Sequence, residues 1–157
     1  VTITFFDPQS WSQLSFDQLE GISLDRLDVQ IDPQDLPNRD WLSSEINAAP
    51  VEEILFSHLL RSNCPVTGQP DWASIIISYR GPAINQENLL RYIISYRNHQ
   101  EFHEHCVEKI FCDIKAKCKT AKLSVYARYT RRGGLDINPF RTDFNTAWPK
   151  NKRLARQ

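Results

Sequence analysis

The sequence predicts an α+β domain in which two helices cover one face of an antiparallel sheet. Two observations lead to this class. Segments with strand character lie in pairs on either side of a single helical stretch, in the order strand, strand, helix, helix, strand, strand. The alternating strand and helix crossovers that a parallel sheet requires are absent. The glycine-rich signatures of Rossmann folds and P-loops are also absent, so a nucleotide cofactor would need another kind of site.

Four segments are predicted as strands because they combine apolar alternation or an apolar run with high β-propensity. They are residues 51–60, 73–79, 122–131 and 135–140. In the first, Ile54, Phe56 and His58 share a face, and the third alternates as a strand half exposed to water does. A further short strand is predicted at residues 24–31, and residues 33–50 form a connector between proline residues.

Residues 87–119 are predicted to be helical because apolar side chains recur close to every 3.6 residues. The polar cluster at residues 97–101 interrupts this pattern and divides it into two helices. Cys106, Cys112 and Cys118 recur every six residues in this stretch. That spacing fits no usual zinc ligand set, so we expect these thiols to fill the core or an interface.

Composition excludes several classes of partner. The 157 residues carry 19 basic and 19 acidic side chains, and phosphate recognition needs a surplus of clustered cations, so no nucleic-acid partner is expected. No apolar run approaches the ~20 residues that span a bilayer, and no signal peptide is recognisable. We therefore expect no membrane partner and a cytoplasmic location with reduced thiols. The sequence has no Met and opens on an alternating segment, residues 1–6, so we expect a piece of a longer protein.

A cysteine and an aspartate flank a turn-rich loop at residues 62–71. Pro65 disfavours a helical conformation at Cys64, and Gly68 lets the chain fold back so that Asp71 approaches the sulfur. A thiolate that attacks an electrophilic carbon needs a nearby proton donor, and this pair supplies both groups. The alternative is an inert cysteine beside a turn-forming aspartate. The pattern alone favours that alternative, since a free cysteine usually packs as a small apolar side chain.

A second polar cluster, residues 97–106, lies at the junction of the two predicted helices. His99 and His103 are four residues apart and could share a helix face, but two ligands do not make a metal site, so no metal is expected. Two other interpretations stay open. The histidines could cap the junction or hydrogen-bond locally, or the segment could form a pocket wall whose buried carboxylate accepts N–H groups from a guanine-like edge.

Three segments together resemble one family. They read Ser-Asn-Cys-Pro-Val-Thr-Gly-Gln-Pro-Asp-Trp (62–72), Arg-Asn-His-Gln-Glu-Phe-His-Glu-His-Cys (97–106) and Tyr-Ala-Arg-Tyr-Thr-Arg-Arg-Gly-Gly-Leu-Asp-Ile-Asn-Pro (126–139). They are similar, in this order, to motifs of the NADPH-dependent 7-cyano-7-deazaguanine reductases, which have the tunnelling fold. The resemblance places residues 51–157 as the C-terminal catalytic domain of the two-module form. Residues 1–50 would then be the end of an N-terminal module plus a linker.

The resemblance implies a mechanism within queuosine biosynthesis, a tRNA modification pathway. Cys64 would add to the nitrile carbon of 7-cyano-7-deazaguanine and form a covalent thioimide. Asp71 would protonate the nitrogen and later relay protons. Two hydride transfers from NADPH would then give 7-aminomethyl-7-deazaguanine.

The resemblance also implies the binding residues. His103 and Glu104 match the pair that holds the substrate, and a carboxylate suits the N1–H and exocyclic amine of a 7-deazaguanine. Arg132 and Gly133 match a segment that contacts NADPH, in which a fixed cation faces a phosphate beside an accessible backbone.

One departure from the family concerns NADPH. Single-module members carry a Glu- and Lys-rich motif before Arg-Asn-His, whereas residues 85–92 contain no Lys and Leu90 stands where one is expected. In the two-module form that motif lies in the N-terminal module. We therefore expect a homo-oligomer, such as a homodimer, whose site is shared with a module that this chain lacks. A cyclohydrolase-like hydrolase of the same fold with a metal-bound water, and a non-catalytic purine-binding module, remain alternatives.

Overall fold

The computed structural model describes residues 15–156, so the strand predicted at residues 1–6 lies outside the described residues. Within the described range the chain forms five strands and two α-helices. The strands are β1 (Ile22–Ser23), β2 (Val51–Asn63), β3 (Pro70–Gly81), β4 (Lys122–Tyr129) and β5 (Phe140–Thr142). The helices are α1 (Gln86–Ile94) and α2 (His103–Cys118). No helix of residues 15–156 is long and apolar enough to cross a membrane.

The strands form one sheet in the order β1-β2-β3-β4-β5. The pairs β2–β3, β3–β4 and β4–β5 are antiparallel, and the predicted α+β class is confirmed. The short β1 departs from the prediction in two ways, because it pairs parallel with β2 and consists of Ile22 and Ser23 rather than residues 24–31. Leu24 is fully buried, and its carbonyl accepts a hydrogen bond from the N–H of Leu27, so the chain turns there instead of continuing as a strand.

Both helices pack on the sheet face that is formed by alternate residues of the long strands. The fully buried aliphatic side chains of this core include Leu55, Ile75, Ile77, Leu89, Ile93, Ile110, Ile114, Leu123 and Val125. Each contributes about 1.5–3 kcal/mol relative to an exposed position. A 3-10 turn at Ser95–Asn98 ends the first helical segment close to the predicted interruption.

The opposite face of the sheet is partly covered by the outer segments of the described chain. Leu19 and Lys152 line a cavity together with Ile54, Ile76 and Tyr126, which project from three neighbouring strands. On this face of β4, Arg128 lines the same cavity and is buried, and Ser124 is buried as well. Together with the four core residues of the strand they make six buried residues of eight, whereas the alternation of the sequence predicted a half-exposed strand.

β2 contains a bulge between Ser57 and Leu60. Ser57 lies opposite Ile75 and Leu60 lies opposite Ala73, so three steps along β2 match two steps along β3. The extra residue shifts the alternation of side chains, and both Ser57 and Leu60 are fully buried on the face that carries the helices.

Candidate active site

The connection between β2 and β3 is a tight loop that begins at Cys64. The N–H of Cys64 donates to the carbonyl of Gln69, and the N–H of Gly68 donates to the carbonyl of Cys64, both at 2.9 Å. Gly68 has a φ of +69°, a left-handed conformation that glycine adopts without a steric penalty. The predicted loop is therefore present, but it is shorter than expected because both flanking strands continue into it.

The sulfur of Cys64 lies among hydrogen-bond donors. The hydroxyl and N–H of Thr67 and the N–H of Val66 donate to it, and these bonds, with a smaller effect of the Arg132 charge, lower the pKa of the thiol to about 7. Partial desolvation acts in the opposite direction and is outweighed. About half of such a thiol is ionised near neutral pH, and the thiolate is the nucleophilic form.

Asp71 lies near the start of β3, opposite Ser62 of β2, and its side chain is only 4% exposed. Nη2 of Arg132 is 2.5 Å from Oδ1, and Nε2 of His103 is 3.1 Å from Oδ2. A buried carboxylate is costly unless such partners are present. Both oxygens of Asp71 are thus held by groups from other parts of the chain, one on α2 and one beyond β4.

The start of α2 places the two predicted substrate-binding residues differently. His103 is largely buried and stacks on Tyr129, with ring centroids 3.8 Å apart and an interplanar angle of 7°. Its Nδ1 is buried without a partner among the described residues, so we assign the ring proton to Nε2, which faces Asp71. Glu104 is exposed in the first turn of the helix, so its carboxylate is not the buried one that the pocket-wall interpretation describes.

One cavity of about 210 Å³ brings five of the six predicted site residues together. It is lined by Cys64, Pro65, Asp71, Glu101, Phe102, His103, Glu104, Arg132 and Ile137. Two larger cavities, of about 500 and 610 Å³, lie elsewhere and contain no cysteine. The small cavity is the candidate active site because it alone among these three combines a thiol with a buried carboxylate.

Arg132 faces inward from the glycine-rich turn that follows β4. Besides its ion pair with Asp71, its Nη2 donates to the carbonyl of Gln69 at 3.2 Å and its Nη1 donates to Oγ1 of Thr67 at 3.3 Å. Gly133 has a φ of +57° and open space where a Cβ would stand, so its backbone is accessible to a ligand. The predicted NADPH contact of both residues stays a prediction.

Sequence reasoning missed Thr67 and Glu101. Glu101 accepts hydrogen bonds from Nδ1 of His105 and from the N–H of Phe102, both at 3.0 Å, and these bonds lower the pKa of its carboxyl. Both missed residues lie within the motifs that carry the family resemblance. Their place in these motifs could have indicated a role. Thr67 was passed over because it has no ionisable group, and Glu101 because it precedes the more conspicuous pair His103 and Glu104.

The histidines and the other cysteines do not form a metal centre within residues 15–156, where no group of three or more potential ligands is found. His99 precedes α2, packs edge-to-face against Tyr96, and has a pKa that burial lowers. All four cysteines are free thiols. Cys106 and Cys118 are fully buried in the core, whereas Cys112 is exposed on this chain, so for that residue only the interface alternative stays a prediction.

Comparisons with known proteins agree with the motifs. A family model described as "QueF-like protein" matches residues 70–147. The NADPH-dependent 7-cyano-7-deazaguanine reductase of Cupriavidus necator is 64% identical over 140 residues, which cover 89% of this chain and 50% of that protein. The corresponding protein of Paraburkholderia xenovorans is 57% identical over 157 residues, which cover 100% of this chain and 57% of that protein. The chain thus spans about half the length of the curated relatives it matches.

A solved structure supports the fold independently. The apo form of an archaeosine synthase described as QueF-Like superposes with a TM-score of 0.53 at 18% identity, covering 64% of this chain and 98% of that one. This likeness is consistent with the predicted tunnelling fold. By its motifs, the matching family model and its curated relatives, the chain belongs to the QueF-like family.

Proposed function

We propose that this chain carries the covalent chemistry of a nitrile reductase that converts 7-cyano-7-deazaguanine to 7-aminomethyl-7-deazaguanine. The observation that carries the proposal is the juxtaposition of an acidified thiol, Cys64, and a buried carboxylate, Asp71, in one cavity. This pairing favours covalent catalysis over the hydrolase alternative, whose metal-bound water would need a cluster of ligands.

The first step is attack of the Cys64 thiolate on the nitrile carbon. One C–S bond forms, one π bond of the C≡N group breaks, and the nitrogen gains a proton, so that the product is a neutral thioimide. Asp71 takes up the thiol proton and passes it to the nitrogen, and its carboxylate then has its starting charge. The ring N–H of His103 at 3.1 Å and the guanidinium of Arg132 keep this carboxylate in place between the two transfers.

The substrate would lie between apolar and acidic walls of the cavity. Phe102 and Ile137 are both about half exposed and offer flat or branched apolar surface to a heterocycle. Glu104, and Glu101 beside it, supply carboxylate oxygens for the ring N–H and exocyclic amine, both of which are donors. His103 and Glu104 thus have different roles, because His103 holds Asp71 while Glu104 holds the substrate.

NADPH would supply the two hydrides when bound. This chain offers contacts for only part of the NADPH molecule. The turn at Arg132 and Gly133 places a cation and an open backbone beside the cavity, whereas α1 offers no lysine and Leu90 is buried in the core. We therefore assign the rest of the cofactor site to the part of the reductase that lies outside this chain.

We further propose that residues 51–157 are the C-terminal catalytic domain and residues 1–50 the end of an N-terminal module plus a linker. The 210 Å³ cavity is smaller than the ~300–1,000 Å³ of most small-molecule sites, as one wall of a shared site would be. Another module or a second copy would close it, giving a homo-oligomer such as a homodimer. A reactive thiol of this kind suits a reducing compartment, and we propose the cytoplasm as the location of the protein.

Mixing the reduced protein with 7-cyano-7-deazaguanine, without NADPH, should add the mass of one substrate molecule to the chain. Intact-mass spectrometry after rapid quenching measures the adduct. Cys64→Ala should abolish it, and Cys112→Ala, which removes the exposed thiol away from the cavity, should not. If folded, reduced protein gives no adduct either as this chain or at full length, the covalent role of Cys64 is wrong.

A further inference from the structure

We propose that Thr67 is the positioning residue that activates Cys64, and that Arg132 sets the direction of the Thr67 hydroxyl. The inference rests on the proposed role of Cys64 as the nucleophile and goes beyond it. It assigns the activation of the sulfur to a loop hydroxyl and not to an imidazole base, since Nε2 of His103 faces Asp71.

The direction of the hydroxyl follows from its neighbours. Oγ1 of Thr67 accepts hydrogen bonds from Nη1 of Arg132 and from the N–H of Gln69, both at 3.3 Å. A guanidinium and a backbone N–H can only donate, whereas a hydroxyl has two lone pairs and one proton. The two donors occupy the lone pairs. The single proton therefore points away from them. The backbone bonds of Cys64 with Gln69 and Gly68 fold the loop back on Cys64, so the sulfur is the acceptor that this proton reaches.

The loop adds two more donors to the same sulfur, the N–H groups of Val66 and Thr67. The backbone bonds between Cys64 and Gln69 and between Gly68 and Cys64 fix these groups within the free protein. Hydrogen bonds to an ionised acceptor are about twice as strong as those to a neutral one, so three donors favour the thiolate over the thiol. The loop is thus a preformed anion site whose anion is the nucleophile itself.

Arg132 couples this site to the proton relay. The same guanidinium contacts Oδ1 of Asp71 through Nη2 and Oγ1 of Thr67 through Nη1. One cation therefore orients the group that activates the nucleophile and neutralises the group that carries the proton. Thr67 itself is exposed, so its replacement leaves the hydrophobic core unchanged.

The test is the pH dependence of Cys64 alkylation by iodoacetamide, measured by intact mass in a Cys112→Ala background that leaves Cys64 as the most accessible thiol. With Thr67 present, the rate should be half-maximal near pH 7. Thr67→Val should raise this midpoint by about one pH unit, because one charge-assisted donor is lost. The ionised fraction of the thiol at pH 7, and with it the alkylation rate, should then fall about fivefold. Thr67→Ser keeps the hydroxyl and should restore the original profile.

Thr120→Val is the matched control, since the Thr120 hydroxyl is buried and has no partner among the described residues. Its profile should coincide with that of the background protein. A Thr67→Val midpoint equal to the background value, or a Thr67→Ser profile that follows the valine variant, would overturn the inference. A shift as expected in a protein that forms no nitrile adduct would support the role of Thr67 while overturning the proposed function.

Discussion

Asp71→Asn is expected to slow formation of the Cys64–nitrile adduct by a factor of about 10²–10⁴. Asparagine keeps the shape of the side chain but cannot take up the thiol proton or give it to the nitrogen of the substrate. The buried position of Asp71, at 4% exposure, also leaves no easy access for water as a substitute proton donor. The rate of adduct formation at saturating substrate and fixed pH, followed by quenched-flow mass spectrometry, measures the effect.

Two controls separate the loss of a proton relay from a loss of structure. Asp143→Asn removes another partly buried carboxylate, which is paired with Lys115 away from the cavity, and should leave the adduct rate unchanged. Calorimetric titration of Cys64→Ala with and without Asp71→Asn should give similar affinities for the nitrile. An adduct rate within a few-fold of the unmodified protein would remove Asp71 from the proton path.

Ile77→Ala is expected to lower the free energy of unfolding by about 3–4 kcal/mol. Ile77 is fully buried on the central strand β3, where it packs against the helices, so truncation leaves a cavity that the surroundings cannot refill. Ile76 precedes it on the other face and is only partly buried, so Ile76→Ala should cost about 1 kcal/mol. Urea denaturation followed by circular dichroism measures both values. Equal losses would contradict the assignment of the two faces of β3.

Local pattern was sufficient for much of the fold. The 3.6-residue period predicted both helices, and the polar cluster at residues 97–101 marked the break between them to within a few residues. The exposure of β4 could not be predicted in the same way, because it depends on residues far away in the sequence. Leu19 and Lys152 cover the face that carries Tyr126, and nothing in the alternation of β4 encodes their presence.

In the candidate site, too, contacts between residues close in the sequence were predictable, and contacts between distant residues were not. The short loop made the approach of Cys64 and Asp71 predictable, since only six residues separate them and the glycine permits the turn. The inward orientation of Arg132 was not predictable from the residues, because its partners Asp71 and Thr67 lie more than sixty positions earlier in the sequence. The family resemblance supplied Arg132 as a functional residue, and only the structure supplied these partners.

The number of residues in the β2 bulge determines on which face of the sheet the nucleophile lies. Side chains of a strand alternate with a period of two, so deleting one residue between Ser57 and Leu60 would turn Ser62, and Cys64 two positions later, toward the opposite face of the sheet. Asp71, on the neighbouring strand, would keep its orientation. Cys64 and Asp71 therefore lie on the same side of the sheet only because β2 contains this one additional residue. The two partly exposed positions between Ser57 and Leu60 should therefore accept changes of side chain more readily than any change of length.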